Sequence, residues 1–181
     1  MTRRLKSAGV PDYLLEGDLL LCKVLGCDRA WMMAHGKRQV FDYELEHLNA
    51  LLDRRCRREP LAYIFGEAHF YGRTFLVGEG VLIPRQETET LVEMALSYLK
   101  EGVILDWGTG SGCIILSLLL ENPSLRGIAL DSSPKALSWA WRNVDRFGLF
   151  DKVLLWHKGI RLPGKWDDHG IDMIVSNPPY I

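Results

Sequence analysis

Features that would assign this 181-residue sequence to several common protein classes are missing. Its four cysteines form no C-x-x-C pair, and none has a histidine at zinc-finger spacing. We therefore predict reduced thiols, a cytoplasmic protein and no metal site. The most apolar run, from Ile114 to Leu120, is too short to cross a bilayer. The N-terminus also lacks the apolar segment of a signal peptide, so we expect no contact with a membrane.

A surplus of positive charge is absent as well. The formal net charge is -1, whereas a broad electrostatic grip on duplex DNA needs an excess of lysine and arginine. One cluster of arginines, at positions 54, 55, 57 and 58, is compatible with a solvated helix end or a binding patch, and we favour the helix end. We therefore expect no direct contact with nucleic acid.

The first 60 residues have helical periodicity and predict a small all-α domain. Two helices, over about residues 14–25 and 42–58, should flank a short one that begins at Asp28. Gly26 is expected to end the first of them, and Glu44 is expected outside the apolar stripe of the last. The predicted apolar positions of the two long helices are Leu14, Leu21, Leu25, Leu45, Leu48 and Leu52.

The pattern changes near residue 61. Residues 61–83 are rich in aromatic and β-favouring types separated by glycines, which predicts a β-hairpin or two short strands. A helix at 87–100 then precedes strands at 103–105, 127–130, 153–156 and 171–175, with helices at 113–120 and 135–147 between them. This alternation indicates a parallel sheet with right-handed crossovers. The predicted parts are a helical domain (1–60), a β-hairpin connector (61–83) and an α/β domain (84–181).

A glycine-rich loop, Gly108-Thr109-Gly110-Ser111-Gly112, follows the first strand of the predicted α/β domain and precedes a helix. Its glycines let the backbone approach a ligand closely, and the absence of a Lys-Ser/Thr pair excludes a P-loop. The spacing is G-x-G-x-G, which differs from the G-x-G-x-x-G of dinucleotide-binding loops. On the loop alone, a dinucleotide remains a contender.

Two aspartates flank this loop at predicted strand ends. Asp131 ends the second strand, where an acidic side chain can accept hydrogen bonds from both ribose hydroxyls of an adenosine. Asp106 ends the first strand and either caps the loop or contacts a positively charged ligand. S-adenosylmethionine, which carries a sulfonium and an ammonium, would suit the second interpretation.

The sequence closes with Asn177-Pro178-Pro179-Tyr180-Ile181, which reads as a methyl-transfer site when combined with the glycine loop. Asn177 and the carbonyl of Pro178 offer two acceptors to an NH2 group whose lone pair is delocalised, and such acceptors favour the transition state. The prolines fix φ and restrict the residues before them, which holds the acceptor carbonyl in place. Tyr180 can cover the planar face of the target, or pack in the core.

This acceptor motif resembles that of amino-nitrogen methyltransferases in general. Three further segments make the chain resemble the HemK-type protein-(glutamine) methyltransferases, which modify peptide chain release factors. These segments are Arg58-Glu59-Pro60-Leu61-Ala62-Tyr63-Ile64-Phe65-Gly66-Glu67, Phe70-Tyr71-Gly72 and Ile83-Pro84-Arg85-Gln86-Glu87-Thr88-Glu89. The resemblance covers nearly the whole chain, and the motifs occur in the family's order.

The resemblance implies a small all-α domain followed by a Rossmann-like α/β domain of the S-adenosylmethionine-dependent methyltransferases. The implied reaction methylates the side-chain amide of the glutamine in the Gly-Gly-Gln loop of a release factor, which the helical domain would help to grip. Implied cofactor-binding residues are Asp106, Gly108, Thr109, Gly110, Ser111, Gly112, Asp131 and Asn177. Implied catalytic residues are Asn177, Pro178 and Tyr180. Implied substrate-binding residues are Leu82, Arg85, Thr88, Asn177, Pro178, Pro179 and Tyr180.

Two of these residues have another interpretation, and the chain departs from the family pattern in three places. Without the family, Arg85 could be a surface charge and Thr88 the N-cap of the next helix. Gln86 stands where the family usually has proline, and residues 157–161 replace an acidic residue and an aromatic expected near the adenine. Further strands expected after Tyr180 are missing, so the chain looks truncated.

Two alternatives stay open at this stage. A truncated, non-catalytic fragment could still bind a release factor through its helical domain. A DNA adenine methyltransferase would share the acceptor motif, but the helical domain and the near-neutral charge would then have no role.

Overall fold

The structure, a computed structural model, describes residues 1–157 and 170–178. Its contacts divide the chain into two compact units, one formed by Met1–Phe65 and the other beginning at Gly66. Within the described ranges, no helix has the length and apolar character needed to cross a membrane.

The first unit is helical, as expected. Its helices are α1 (Thr2–Ser7), α2 (Tyr13–Leu25), α3 (Arg29–Ala34), α4 (Asp42–Cys56) and α5 (Leu61–Phe65). Gly26 ends α2 in the left-handed conformation, with φ of 64°, which confirms its predicted role. The side chain of Asp28 caps α3 by accepting a hydrogen bond from the Trp31 amide at 2.7 Å.

The buried faces of α2 and α4 differ from the prediction. Leu14 and Leu45 are exposed, whereas Leu20 of α2 is fully buried. On α4 the buried side chains are Glu44, Leu48, Leu51 and Leu52. Glu44 is tolerated there because Arg38 donates two hydrogen bonds to its carboxylate, at 2.9 and 2.7 Å, and the Phe41 amide donates a third at 2.9 Å. These bonds, led by those from Arg38, lower the pKa of Glu44.

The arginine cluster at the end of α4 joins parts of the helical unit to one another. Arg54 pairs with Glu59 and donates to the carbonyl of Tyr63 at 3.2 Å. Arg55 pairs with Glu16 of α2. Arg58 donates to the carbonyls of Ala8 and Gly9, which follow α1. The favoured interpretation, a solvated helix end, fits the exposed Arg57 and Arg58, whereas the partly buried Arg54 and Arg55 connect α4 to α5 and α2.

The helical unit extends beyond the predicted boundary at residue 60. Residues 61–65 form α5, and the side chain of Ile64 is buried in the core of the helical unit. The strand tendency predicted for Tyr63, Ile64 and Phe65 is overridden because Pro60 starts a helical turn. The Ile64 amide donates a hydrogen bond to the carbonyl of Pro60 at 3.1 Å. The hairpin is shorter than the predicted connector: β1 (Glu67–Phe70) pairs with β2 (Arg73–Leu76).

The second unit continues from this hairpin into the predicted parallel sheet. Its further elements are a 3-10 turn (Gln86–Thr88), α6 (Glu89–Tyr98), β3 (Gly102–Trp107), α7 (Cys113–Glu121), β4 (Leu125–Asp131), α8 (Pro134–Phe147), β5 (Val153–His157) and β6 (Met173–Val175). The four strands β3 to β6 are all parallel, in the order β5-β4-β3-β6. This is the Rossmann-like architecture that we expected.

Both faces of this sheet are buried, as is usual for parallel sheets. Ile104 and Ala129 belong to one apolar cluster, which includes most of α7, while Leu105 and Ile128 belong to another. The apolar run that begins at Ile114 lies in α7, whose first seven residues are all buried. That run is a core helix.

The strand order fixes where a ligand can bind. From β3 the chain proceeds to β4 and β5 on one side, and β6 then pairs on the other side of β3. Such a reversal opens a crevice at the carboxyl ends of the two strands that flank it. Asp106 and Val175 are paired in register near those ends, so the glycine loop after β3 and Asn177 after β6 lie at the same crevice.

Candidate active site

The glycine loop adopts a backbone that explains its composition. Gly108, Gly110 and Gly112 have φ values of 81°, 57° and 81°, in the left-handed region that other residues rarely adopt. The amides of Gly108 and Thr109 both donate to the carbonyl of Leu130, at 2.8 and 2.9 Å, which ties the loop to the end of β4. A Cβ at Gly108 or Gly110 would meet no protein atom within 4 Å, so these two glycines face open space.

Asp131, at the end of β4, holds the loop from the other side. Its Oδ2 accepts a hydrogen bond from the Gly110 amide at 3.0 Å, and its Oδ1 accepts one from the Ser133 amide at 2.9 Å. Each carboxylate oxygen has a further lone pair, so hydroxyl groups of a ligand can still donate to the same side chain.

Asp106 is fully buried under the loop. Its Oδ2 accepts a hydrogen bond from the Thr109 hydroxyl at 2.7 Å, so the side chain does hold the loop, as one of its two interpretations required. Its Oδ1 has no hydrogen-bond partner within the described residues. Burial raises the pKa of Asp106 to about 7, although the bond from Thr109 opposes this rise. A buried carboxyl with an unpaired oxygen is suited to a positively charged ligand group.

Asn177 is oriented by a residue that lies far away in sequence. Its Nδ2 donates a hydrogen bond to the hydroxyl of Thr88 at 3.0 Å, so the amide oxygen Oδ1 remains available as an acceptor. Thr88 directly precedes α6, but its side chain makes no capping bond to that helix. Thr88 therefore occupies the N-cap position, as the alternative held, but its hydroxyl bonds to Asn177 and does not cap the helix.

The backbone before Asn177 is anchored to the neighbouring strand. The hydroxyl of Ser176 donates to the carbonyl of Trp107, at the end of β3, at 2.7 Å. This bond holds the start of the acceptor motif beside the glycine loop. Pro178 follows as the last described residue, and Pro179 and Tyr180 lie outside the described residues.

Six of the predicted site residues line one cavity of about 330 Å³. It contains Leu82, Gly108, Gly110, Asp131, Asn177 and Pro178 from the prediction, together with Gly80, Val81, Trp107, Leu130, Ser132, Ser133 and Ala136. A small hollow of about 40 Å³ adds Thr88, Thr109 and Ser111 and shares Leu82, Gly108, Gly110 and Asn177 with the first. The structure thus brings together residues separated by almost a hundred positions.

A third hollow, of about 450 Å³, extends from Asn177 in another direction. Its lining residues are Arg85, Glu87, Thr88, Leu91, Ser176 and Asn177. Arg85 therefore lines the same hollow as Thr88 and Asn177, and its role on the substrate side stays a prediction. Asp106 and Gly112 are not among the lining residues of these three cavities; both lie in the buried support of the loop.

Two contributors were not predicted from the sequence. Trp107 is half exposed and lines the main cavity, but it carries no motif that would separate it from a core tryptophan. Asn143 is fully buried in α8 and hydrogen-bonds to the Ser111 carbonyl in the glycine loop at 2.8 Å. The available signal was a polar residue on an otherwise apolar face of α8, which sequence alone does not connect to the loop.

The region near residue 157, where the family pattern is altered, is described only at its start. His157 ends β5, and its Nε2 donates to the carbonyl of Ser132 at 3.1 Å, close to the loop after β4. Residues 158–161 lie outside the described residues.

The fold and the site define a class of protein. A parallel sheet whose strand order reverses beside β3, a glycine loop after that strand, an acidic residue at the end of the next strand and an Asn-Pro motif at the switch point are together the features of a Rossmann-like methyltransferase domain. Residues 86–181 match the methyltransferase small domain, and residues 1–66 match the PrmC N-terminal domain. The chain belongs to the methyltransferase small domain family.

Individual relatives confirm the resemblance to the HemK-type enzymes. The chain is 40% identical over 182 residues to a protein named release factor glutamine methyltransferase from Koribacter versatilis, covering 99% of the chain and 64% of that protein. It is also 40% identical to a protein of the same name from Nitratidesulfovibrio vulgaris, covering 99% of the chain and 61% of the relative. The chain therefore spans less than two thirds of the length of these relatives.

One solved structure with a similar fold is a precorrin-6y C5,15-methyltransferase from Geobacter metallireducens. The TM-score is 0.45 and the identity 22%, over 56% of this chain and 52% of that one.

Proposed function

We propose that this chain transfers a methyl group from S-adenosylmethionine to the side-chain amide nitrogen of a protein glutamine, namely the glutamine in the Gly-Gly-Gln loop of a peptide chain release factor. The observation that carries the proposal is the bond from Asn177 Nδ2 to Thr88, because it leaves Oδ1 as an acceptor beside the glycine loop. The substrate class is supported by the names of the relatives with about 40% identity.

The residues around the main cavity fit S-adenosylmethionine. Gly108 and Gly110 leave space for a ligand against the backbone, and Asp131 has lone pairs for ribose hydroxyls. The unpaired Oδ1 of Asp106 provides negative charge below the loop once the carboxyl ionises. When bound, the cofactor supplies an electrophilic methyl group on a sulfonium. Cofactor-binding roles for Thr109, Ser111, Gly112 and Asn177 are part of the same proposal.

Asn177 and Pro178 prepare the nucleophile. Asn177 Oδ1 and the Pro178 carbonyl can each accept one N–H of the substrate amide, which would turn the remaining lone-pair direction of its nitrogen to the methyl group. These acceptors gain strength as the nitrogen becomes more pyramidal, so they lower the barrier more than they tighten substrate binding. Alignment of the two reactants contributes further, on the order of 7–11 kcal/mol for well-oriented pairs.

We assign the substrate side of the site to the remaining predicted residues. Leu82 lines the main cavity, where it would flank the acceptor glutamine, and Arg85 lines the adjoining hollow with Thr88. The predicted contributions of Pro179 and Tyr180 belong to the same proposal. The helical unit would help to grip the release factor.

We also propose a cytoplasmic location and no direct binding of nucleic acid. The four cysteines are free, which suits a reducing compartment. The net charge of -1 gives no general attraction to phosphates, so the protein substrate remains the favoured partner.

The test is methyl transfer from labelled S-adenosylmethionine to a recombinant release factor, with the native Gly-Gly-Gln loop compared with its Gln→Ala form. We expect label on the native loop alone, and loss of label with Asn177→Ala. No label from a folded chain that binds the release factor would instead support the non-catalytic alternative. Label on an adenine-containing DNA and not on the release factor would overturn the choice of substrate.

A further inference from the structure

The side chain of Asn143, in the middle of α8, connects two walls of the cofactor cavity. Its Oδ1 accepts a hydrogen bond from the Leu76 amide at 2.7 Å, and its Nδ2 donates to the Leu76 carbonyl at 2.9 Å. The second hydrogen on Nδ2 is donated to the Ser111 carbonyl at 2.8 Å. One buried amide therefore bonds to backbone atoms 67 and 32 residues away along the chain.

These contacts use the full donor capacity of the amide. An asparagine NH2 has two hydrogens, and both are engaged, while the oxygen is engaged by Leu76. Asn143 is 0% exposed, so water cannot readily replace these bonds. The paired bonds to the N–H and C=O of Leu76 are those that a neighbouring strand would make, and they fix both the position and the rotation of that residue.

The first wall is the glycine loop. Ser111 lies between Gly110 and Gly112, and its carbonyl orientation sets the peptide plane that leads into α7. The flanking glycines have wide conformational freedom, so a loop of this composition needs fixed points from outside. Leu130 and Asp131 supply fixed points at one end, through Gly108, Thr109 and Gly110. Asn143 supplies a fixed point at the other end of the loop, through the carbonyl of Ser111.

The second wall is the segment that follows Leu76. Gly80, Val81 and Leu82 line the main cavity a few residues later. The backbone between them lies flat against α8, because a Cβ at Gly78 would be 2.2 Å from the ring of Trp139. The indole Nε1 of Trp139 also donates to the carbonyl of Glu79 at 3.3 Å. Asn143 and Trp139, one turn apart on α8, therefore hold this wall from its start.

We propose that Asn143 is a positioning residue for cofactor binding, which sets the distance between the glycine loop and the 77–82 segment. The inference rests on the proposed function, because it takes the main cavity to be the S-adenosylmethionine site. Asn143 contacts neither the cofactor space nor the reacting atoms, and acts through Ser111 and Leu76.

The test compares Asn143→Ala with Val144→Ala. Val144 is the next residue on α8, is 2% exposed and belongs to an apolar cluster that includes no residue of the glycine loop or of the 77–82 segment, so we expect its truncation to cost stability without altering either wall. S-adenosylmethionine affinity would be measured by calorimetry at a temperature where both variants are folded. We expect Asn143→Ala to raise the dissociation constant by about tenfold or more, and Val144→Ala to leave it within about twofold.

The outcomes separate this inference from the proposed function. Failure of the unsubstituted chain to bind S-adenosylmethionine would overturn the proposed function itself. Binding by the unsubstituted chain with equal affinity in Asn143→Ala would overturn only the positioning role, and so would an equal loss of affinity in both variants.

A measurement on the unsubstituted chain covers the case in which Asn143→Ala does not fold. Hydrogen exchange of the Leu76 amide reports directly on the bond to Asn143. We expect saturating S-adenosylmethionine to slow that exchange, relative to the Leu149 amide at the end of α8, in parallel with the Gly110 amide. Unchanged exchange at Leu76 while Gly110 becomes protected would contradict the connection between the two walls.

Discussion

At the scale of single residues, the site depends on how one amide is turned. An asparagine side chain can present either a donor or an acceptor to a substrate. In the structure the hydroxyl of Thr88 accepts a hydrogen bond from Nδ2 of Asn177, which leaves Oδ1 as the acceptor. We therefore propose that Thr88 orients Asn177, and its hydroxyl can be removed without removing the acceptor itself.

Thr88→Val should separate orientation from acceptor chemistry. The substitution keeps the shape of the side chain but deletes the oxygen, so Asn177 Oδ1 would lose its fixed direction. We expect kcat for glutamine methylation to fall by about tenfold, as for loss of one hydrogen bond, with the KM for S-adenosylmethionine nearly unchanged. Thr88→Ser, which restores the hydroxyl, is the matched control. Full activity of Thr88→Val would show that the bond does not orient the amide.

Asp106 should make the stability of the folded chain depend on pH, and the direction of this dependence follows from the burial of its carboxyl group. Its pKa is raised to about 7 in the folded chain, from an ordinary value of 3.8. The folded carboxyl therefore keeps a proton that the unfolded chain has released, so its contribution to stability is fully present below about pH 4 and is lost as pH rises to about 7. Asp106→Asn should thus gain stability relative to the unsubstituted chain over this window.

Urea unfolding at several pH values in this window measures that difference, because other carboxyl groups cancel between the two proteins. Affinity for S-adenosylmethionine should change in the opposite direction, rising as pH approaches about 7, since an ionised Asp106 attracts the positive charges of the ligand. A stability difference between the two proteins that is independent of pH would contradict the raised pKa.

The roles of individual residues were only partly predictable from the sequence. Gly108, Gly110, Asp131 and Asn177 are recognisable because spacing and strand ends suggest their positions, and the structure places all four on one cavity. Asn143 was not found, because its partners are backbone atoms of distant segments. No pattern within α8 reveals which carbonyl groups a buried amide will meet.

At the scale of elements, the glycine loop combines a left-handed backbone, which glycine adopts readily, with a face that is open to the cavity. Gly110 has φ of 57° and faces open space, so an added methyl group would carry the backbone cost and enter the cavity. Gly148, which ends α8, has φ of 66° and likewise no atom within 4 Å of an added Cβ. The two glycines thus have the same conformational requirement in different surroundings.

Gly110→Ala and Gly148→Ala should therefore lose similar stability but differ in ligand binding. We expect each to lower the free energy of unfolding by about 1 kcal/mol, the cost of a left-handed residue with a Cβ. Only Gly110→Ala should weaken S-adenosylmethionine binding, by about tenfold or more, as measured by calorimetry. Equal affinities in the two variants would place the cofactor away from the loop.

The order of elements could be predicted from the sequence more accurately than their buried faces. Each predicted strand of the α/β domain occurs within a few residues of its expected place, because short apolar runs between turns have few alternatives. The predicted buried face of α4 was wrong because Glu44 is buried through its bonds to Arg38 and the Phe41 amide. Hydrophobic periodicity cannot anticipate a carboxylate whose partners lie before its own helix.

At the scale of the whole molecule, the two units have separate cores and separate expected tasks. The core of the first contains Leu5, Leu20 and Leu52, and that of the second is built on the sheet and α7. The glycine loop and the acceptor motif allowed methyl transfer by the second unit to be predicted from the sequence. The helical unit has no comparable motif, and only its resemblance to the family connects it with a protein substrate.

Hydrogen exchange of the whole chain should distinguish these tasks. The described candidate residues all lie after Gly66, so S-adenosylmethionine should slow exchange in the second unit and leave residues 1–65 unchanged. At about 100 times the dissociation constant, the second unit should gain about 2.7 kcal/mol. Gly110→Ala, tested at the same ligand concentration, should show little of this protection.

Addition of a release factor should then protect amides in the helical unit, because that unit is proposed to grip the protein substrate. A release factor with Gln→Ala in its Gly-Gly-Gln loop should protect the same helical amides, since none of the described candidate site residues lies in the helical unit. Protection of the second unit alone, by either form, would remove the recognition role of the helices. Cofactor-induced protection within residues 1–65 would show that the two units respond to the ligand as one.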